Sequence, residues 1–207
     1  YMVHDLKNIA AGLEMVARNA EKHSNNPAFL EDAFDSVATA AGDIKRLLDQ
    51  LRNKHIQSEN KVLVDLDVLV TAVVKKLSHR RPEPEMDLPT ETCSVIAEKG
   101  RLENVLTHLL ENAQQATDDD GYVKIGLQHR YHTCIVRISD NGHGMDADFI
   151  KDRLFKPFYT TKGNAGLGIG MYESREFVRS LGGDIYVSSE PDSGTRVVLE
   201  IPASDAG

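Results

Sequence analysis

No apolar run in the sequence approaches the ~20 residues that a membrane-spanning helix needs, so none of its 207 residues belongs to such a helix. Basic charge is not in excess either. The chain has 24 Lys and Arg against 32 Asp and Glu, a net charge of −8, which disfavours non-specific nucleic-acid binding but still permits a locally basic nucleotide site. Cysteine is scarce. Cys93 and Cys134 each lie inside an apolar, strand-like stretch. Their spacing matches neither a metal site nor a disulfide framework, and they are expected to be separate buried thiols of a reducing compartment. Internal repeats and low-complexity tracts are also missing, which sets aside solenoids and disordered linkers. What remains is 41% hydrophobic and 27% charged, an ordinary globular balance with room for one large domain or two small ones.

Residues 1–56 carry a helical periodicity. Val3, Leu6, Ala10, Leu13, Ala17 and Ala20 step by three and four, and so do Leu30, Phe34, Val37, Ala41, Ile44, Leu48 and Leu51. This spacing predicts two helices with an a/d seam, joined by the helix-breaking turn Ser24-Asn25-Asn26-Pro27. Two helices alone cannot cover such seams. A second copy would complete a four-helix bundle, so a homodimer is expected. Folding the hairpin about residue 26 leaves the end of the second arm unpaired. The expectation is therefore a fragment of a longer protein, itself cytoplasmic, with membrane attachment only through segments outside it.

Residues 57–207 read differently. Strands are predicted over 62–66, 93–97, 122–128, 134–139, 185–189 and 195–201, and helices over 67–78, 101–117 and 170–181. A glycine-rich loop region spans 142–168, and strands and helices mix without a regular βαβ repeat. The expectation is an α/β sandwich of the α+β class, with one mixed sheet and helices on one face.

Four constellations carry chemistry. The first is His4-Asp5-Leu6-Lys7-Asn8. His4 falls between Val3 and Leu6 of the seam and points off it toward solvent. Neutral imidazole is a competent nucleophile toward phosphorus. Asn8, at i+4, shares the face of His4, whereas Asp5, at i+1, does not. The second is Glu111-Asn112-Ala113-Gln114-Gln115-Ala116, on a helix whose inward face is Leu106, Leu109, Leu110 and Ala113. The amide oxygen of Asn112 is a suitable ligand for the hard cation Mg²⁺. The third is Asp140-Asn141-Gly142-His143-Gly144-Met145, directly after a strand. Its glycines let a ligand approach the backbone, and a buried carboxylate at a strand end can accept a hydrogen bond from an adenine amine. The fourth runs from Phe155-Lys156-Pro157-Phe158 through Lys162 to Gly166-Leu167-Gly168-Ile169-Gly170 at the start of a helix. A glycine-rich loop feeding a helix N-terminus offers free N–H groups to phosphates. Singly, each has an ordinary explanation: an idle helical histidine, a solvated asparagine, a D-N-G turn, a flexible loop.

Their order along the chain, helix-His, Asn, D-x-G-x-G, Phe-rich segment and G-x-G, resembles the H, N, G1, F and G2 boxes of sensor histidine kinases over essentially all 207 residues. The HDLKN box and Gly168–Val178 (GIGMYESREFV) resemble the exosortase/PEP-CTERM-associated members. The resemblance implies a dimerisation and histidine phosphotransfer hairpin at 1–56 and a GHKL/Bergerat ATP-binding domain at 57–207. ATP and Mg²⁺ would be its cofactors and the receiver domain of a response regulator its partner. It implies that His4 is the phosphoacceptor, Asp5 its proton-accepting neighbour, and Asn8 an aligner of water for dephosphorylating the partner. Asn112 would hold Mg²⁺ and Asp140 would read adenine. Gly142 and Gly144 would floor the pocket, Lys162, Gly166 and Gly168 would contact phosphates, and Thr195 would place a hydroxyl near adenine. There are departures. Ile9-Ala10 continue the helix where many relatives place proline after the His. Gln115 and Ala116 stand where many carry lysine and an aromatic residue. His143, between the glycines, reads as lid surface.

Overall fold

The computed structural model describes residues 2–23, 26–55, 60–88, 92–157, 159 and 168–204, and within the first two helices the side chains of 9–20, 26, 27, 29–42 and 44. The chain divides into two compact units, Tyr1–Ser58 and Glu59–Gly207.

The first unit is a hairpin of α1 (Met2–His23) and α2 (Pro27–His55). Pro27 opens α2, at the helical position where its missing N–H costs nothing, and Leu30 N–H donates to Asn26 O at 3.1 Å. Ile9, Leu13, Val16 and Ala20 of α1 are half-buried, as are Phe29, Ala33 and Ile44 of α2, and Ala40 is buried. These residues are the hairpin's own seam. Of the stripe read from the sequence of α2, Ile44 joins this seam, but the earlier positions lie elsewhere. Leu30, Phe34 and Val37 are 40%, 71% and 46% exposed in the single chain, and Ala41 is exposed too. On α1, Leu13 and Ala20 join the inner seam, while Ala10 and Ala17 face solvent. The side chains of Val3, Leu6, Leu48 and Leu51 lie outside the described residues.

The second unit comprises β1 (Val62–Asp65), α3 (Leu66–Leu77), β2 (Glu85–Asp87), β3 (Ser94–Ala97), α4 (Lys99–Ala116), β4 (Val123–Arg130), β5 (Thr133–Asp140), α5 (Ala147–Asp152), α6 (Gly170–Ser180), β6 (Asp184–Ser189) and β7 (Thr195–Pro202). One mixed sheet was the expectation; there are two. β1 and β3 pair antiparallel as a separate ribbon, and the main sheet has the order β2-β4-β5-β7-β6. Its mixed character comes from β2, which runs parallel to β4 at the edge. Alternate residues of the central strands turn inward: Val123, Ile125 and Leu127 on β4, Cys134, Val136 and Ile138 on β5, and Val197, Leu199 and Ile201 on β7. They form one core with Leu66, Val70 and Val73 of α3, with Leu102, Leu106, Leu109 and Leu110 of α4, and with Phe177 and Val178 of α6.

The cysteines correct the sequence reading. Cys93, just before β3, and Cys134, on β5, are joined as a disulfide with Cα atoms 5.9 Å apart. Spacing along the chain carried no trace of this pairing, because it depends on how the β1–β3 ribbon packs beside β5.

Two polar clusters brace the unit. Gln114, 5% exposed, donates from Nε2 to the carbonyls of Leu77, Arg80 and Pro82 at 3.0–3.3 Å, so α4 holds the loop after α3. At the other side, Asp184 Oδ1 accepts from Arg175 Nε at 2.7 Å and from Arg179 Nε at 3.2 Å, tying α6 to β6. The Arg175 guanidinium also stacks on the Phe155 ring, 4.2 Å from its centroid. Arg175, then Arg179, hold the Asp184 carboxyl well below the usual carboxylate range, and burial only partly opposes them. A depressed carboxyl pKa stabilises the fold above the unfolded value, and that stability is lost as pH falls through the folded one. Asp184→Asn should therefore cost about 1 kcal/mol at neutral pH, a small figure because the pair is partly exposed. In denaturant titrations the gap to the parent chain should persist down to about pH 4 and close below it; a gap independent of pH would deny the ion pair this role.

Candidate functional site

The site is built where β5 ends and β7 begins. Register places Asp140 opposite Thr195, so the last residue of one central strand and the first of the next stand side by side at one rim of the sheet. Asp140 is 6% exposed. Its Oδ1 accepts from Gly142 N–H at 3.0 Å and from Thr195 N–H at 3.1 Å. Among the described residues Oδ2 has no hydrogen-bond partner, which leaves it as the acceptor for a ligand. Burial pushes the carboxyl above its ordinary range, and the two N–H groups oppose that shift. Thr195 Oγ1 lies 3.0 Å from Ser189 Oγ.

The loop after Asp140 is fastened at both ends. His143 N–H donates to Ala116 O at 3.0 Å and Met145 N–H to Ser189 Oγ at 2.9 Å, while Asp192 N–H donates to His143 O at 2.9 Å. Two glycines permit this. A side chain at Gly142 would collide with the carbonyl of Ala116, and one at Gly144, where φ is +64°, with the carbonyl of Glu190. The glycines therefore let backbone approach backbone. Gly142 contributes an N–H to Asp140 and does not line the cavity, whereas Gly144 does.

That cavity measures about 470 Å³, within the usual range for small-molecule sites. Asn112 and Gln115 of α4, Asp140 of β5, Gly144 of the loop, Gly168 before α6 and Thr195 of β7 all line it. Leu109, Ala113, Met145, Leu154, Met171, Val187 and Val197 add apolar wall, so a flat apolar ring can lie against side chains while its polar edge meets Asp140. Sequence reasoning missed His108, which also lines the cavity and whose Nε2 lies 2.9 Å from Asn112 Nδ2. Its signal was the i−4 spacing on the same helix face. A second depression of similar volume also touches Asp140 and Thr195, but Tyr122, Ser139, Lys151, Ser188 and Arg196 line it, without Asn112, Gln115 or Gly168. Lys162 and Gly166 lie outside the described residues. His4, Asp5 and Asn8 belong to α1, and their side chains lie outside the described residues as well.

A family described as histidine kinase-, DNA gyrase B- and HSP90-like ATPase matches residues 97–205. The chain belongs to this family. Its matched segment opens at the end of β3 and closes just past β7, so it contains every wall of the cavity, and ATP is the nucleotide that family membership assigns to it. The C4-dicarboxylate transport sensor protein DctB of Rhizobium meliloti (strain 1021) is 27% identical over 209 residues, 97% of this chain and 33% of that protein. The adaptive-response sensory kinase SasA of Prochlorococcus marinus (strain MIT 9313) is 38% identical over 128 residues, 59% of this chain and 34% of that protein. The chain thus spans about a third of the length of these relatives. The structure of Acinetobacter baumannii histidine kinase AdeS shares the fold, with a TM-score of 0.60 and 23% identity over 98% of both chains.

No helix among the described residues is long and apolar enough to cross a membrane. Nor do the described residues include a cluster of three or more His, Cys, Asp or Glu side chains that could hold a metal ion. A divalent cation here would take its protein ligand from Asn112, a half-buried amide on the cavity wall, and the rest from phosphates and water, the habit of Mg²⁺.

Asp140→Asn separates binding from folding. An amide still accepts from Gly142 and Thr195 but presents a donor where Asp140 Oδ2 would offer an adenine amine an acceptor. The lost charge-assisted bond is worth about 1.5–3 kcal/mol, about ten- to a hundred-fold in ATP affinity. Because the folded-state pKa is raised, the native state loses stability as pH rises through it, and the variant is spared that loss. Its unfolding midpoint at neutral pH should equal or exceed the parent's, with any advantage gone below about pH 4. An unchanged ATP dissociation constant in calorimetry would remove Asp140 from the site.

Proposed function

We propose that this chain is the kinase core of a two-component sensor, which transfers the γ-phosphoryl group of ATP to its own His4 and then to an aspartate of a response-regulator receiver domain. The observation that carries the reading is the convergence of Asp140, Thr195, Asn112 and Gly168 on one nucleotide-sized cavity, in a chain that also presents the HDLKN sequence on a separate helical hairpin. The names of the relatives support it: SasA is a sensory kinase, and DctB, a sensor protein, aligns with nearly the whole chain, hairpin included.

The division of labour follows from the residues. Asp140 fixes the adenine edge, and the apolar wall holds the ring. The oxygen of Asn112 would hold Mg²⁺, which when bound neutralises charge on the β- and γ-phosphates. Lys162 and the Gly166–Gly168 backbone are assigned to the phosphates. Neutral His4 supplies the lone pair that forms the N–P bond as the bond from γ-phosphorus to the ADP oxygen breaks, and Asp5 takes the imidazole proton. Asn8 has no titratable proton at neutral pH, so in the reverse activity toward a phosphorylated partner it can only orient water.

Incubation with radiolabelled ATP tests this. The parent chain should acquire acid-labile, base-stable phosphate, and His4→Gln should acquire none while binding ATP nearly as well. Stable phosphate on the variant would overturn the assignment of His4. ATP hydrolysis with no phosphoprotein at all would place the chain with the family's gyrase- and chaperone-like ATPases instead.

A homodimer is the second part of the proposal. Leu30, Phe34 and Val37 step by four and three along α2 and are exposed in the single chain, and the same face of a second copy would cover them as a four-helix bundle. Phe34→Asp would place a carboxylate in that seam and should halve the mass seen by light scattering. A monomeric parent chain would refute the dimer.

A further inference from the structure

We infer that His108 is a positioning residue, which turns the Asn112 amide so that its oxygen rather than its nitrogen is offered to the cation at the nucleotide phosphates. This rests on the reading above that Asn112 holds Mg²⁺. The two residues are four apart on α4 and both line the cavity, so their side chains lie one above the other on a single helix face. Asn112 Nδ2 and His108 Nε2 are 2.9 Å apart. With the ring proton on Nδ1, the imidazole accepts from the amide N–H, and the amide then presents oxygen on its other edge. The opposite arrangement, with ring N–H donating to the amide oxygen, would occupy the atom that a hard cation takes and turn an NH₂ group toward it.

A second feature leaves room for the ring. Gly170, the first residue of α6, faces the imidazole, and a side chain there would collide with Nε2 and its neighbouring carbons. The glycine is needed for space, since its φ is not among the positive values. The consequence is that the end of the glycine-rich loop and the metal-binding face of α4 meet through one imidazole. Outer partners of metal ligands commonly change metal affinity by about 10–100-fold when removed. Here the ligand is a neutral amide, whose two ends differ only in which atom faces the metal, so its orientation carries that whole effect.

The test compares ATP dissociation constants of the full chain in MgCl₂ and in EDTA. The ratio of the two is the cation's contribution, and folding defects common to both conditions cancel. The parent should show tighter binding with Mg²⁺. His108→Leu removes the acceptor at similar bulk and should cut the ratio about ten-fold. His108→Gln, whose Oε1 can accept from Asn112, should recover most of it. Gly170→Ala keeps both polar side chains but displaces the ring, and should also lower the ratio, which covers the case in which the leucine variant fails to fold. A ratio unchanged in His108→Leu, or an equal loss in both conditions, would overturn the inference. A parent chain with no Mg²⁺ effect would instead sink the assignment of Asn112 to the metal and take this inference with it.

Discussion

Asp140 is a carboxylate that burial disfavours and that two backbone N–H groups hold in place, and the geometry of the cavity follows from keeping it there. Each donor imposes a condition on a different part of the chain. Thr195 can donate only if β7 is in register with β5, which the antiparallel ladder over eight residue pairs secures. Gly142 can donate only if the chain turns sharply after β5, and that turn is possible because no side chain at 142 obstructs the end of α4. Burial without those two donors would leave a charged oxygen unsatisfied, at a cost of several kcal/mol. With them, one carboxyl oxygen is spent on structure and the other remains for a ligand.

Helix α4 shows how a single element serves core, scaffold and chemistry at once. Leu102, Leu106, Leu109 and Leu110 anchor it in the core. Two residues from its end, the Gln114 amide donates to carbonyls at the end of α3 and in the loop that follows, those of Leu77, Arg80 and Pro82. On the adjoining face stand His108, Asn112 and Gln115, toward the cavity. Because the 3.6-residue period keeps these faces fixed relative to one another, the position of Asn112 is set in large part by Leu102, Leu106 and Leu110, which lie in the core and not on the cavity wall.

Much of this was legible in the sequence, for definite physical reasons. The 3.6 and 2.0 periodicities located α3, α4, α6 and the central strands to within a few residues, since each has one face in the core. β2 escaped because all three of its residues are exposed and carry no alternation. α5 escaped inside a glycine-rich region, although Asp146, whose side chain accepts from Phe149 N–H at 2.7 Å, is an ordinary N-cap. The Asn112, Asp140 and Thr195 assignments rested on motif order, and the structure brings all three to one cavity. Gly142 shows what motif order misses, for its glycine serves Asp140 and not the wall. The Cys93–Cys134 bond was illegible, because neither residue carries local information about a partner 41 positions away.

The hairpin and the nucleotide unit also differ in what they leave unfinished. The second unit buries its apolar residues internally: the core gathers residues from α3, α4, α6 and the main sheet, and every described residue that lines the cavity belongs to it. In the hairpin the best-buried apolar side chain among those described is Ala40, at 9%, while Phe34 stands 71% exposed. Burying one large apolar side chain is worth about 1.5–3 kcal/mol, so a seam of Leu30, Phe34 and Val37 left in water forgoes several times that. A nucleotide pocket of this kind is shared by ATPases of quite different purpose. What this chain adds to its nucleotide unit is therefore a helix pair that carries His4 and leaves Leu30, Phe34 and Val37 exposed, the face that the proposed dimer would cover.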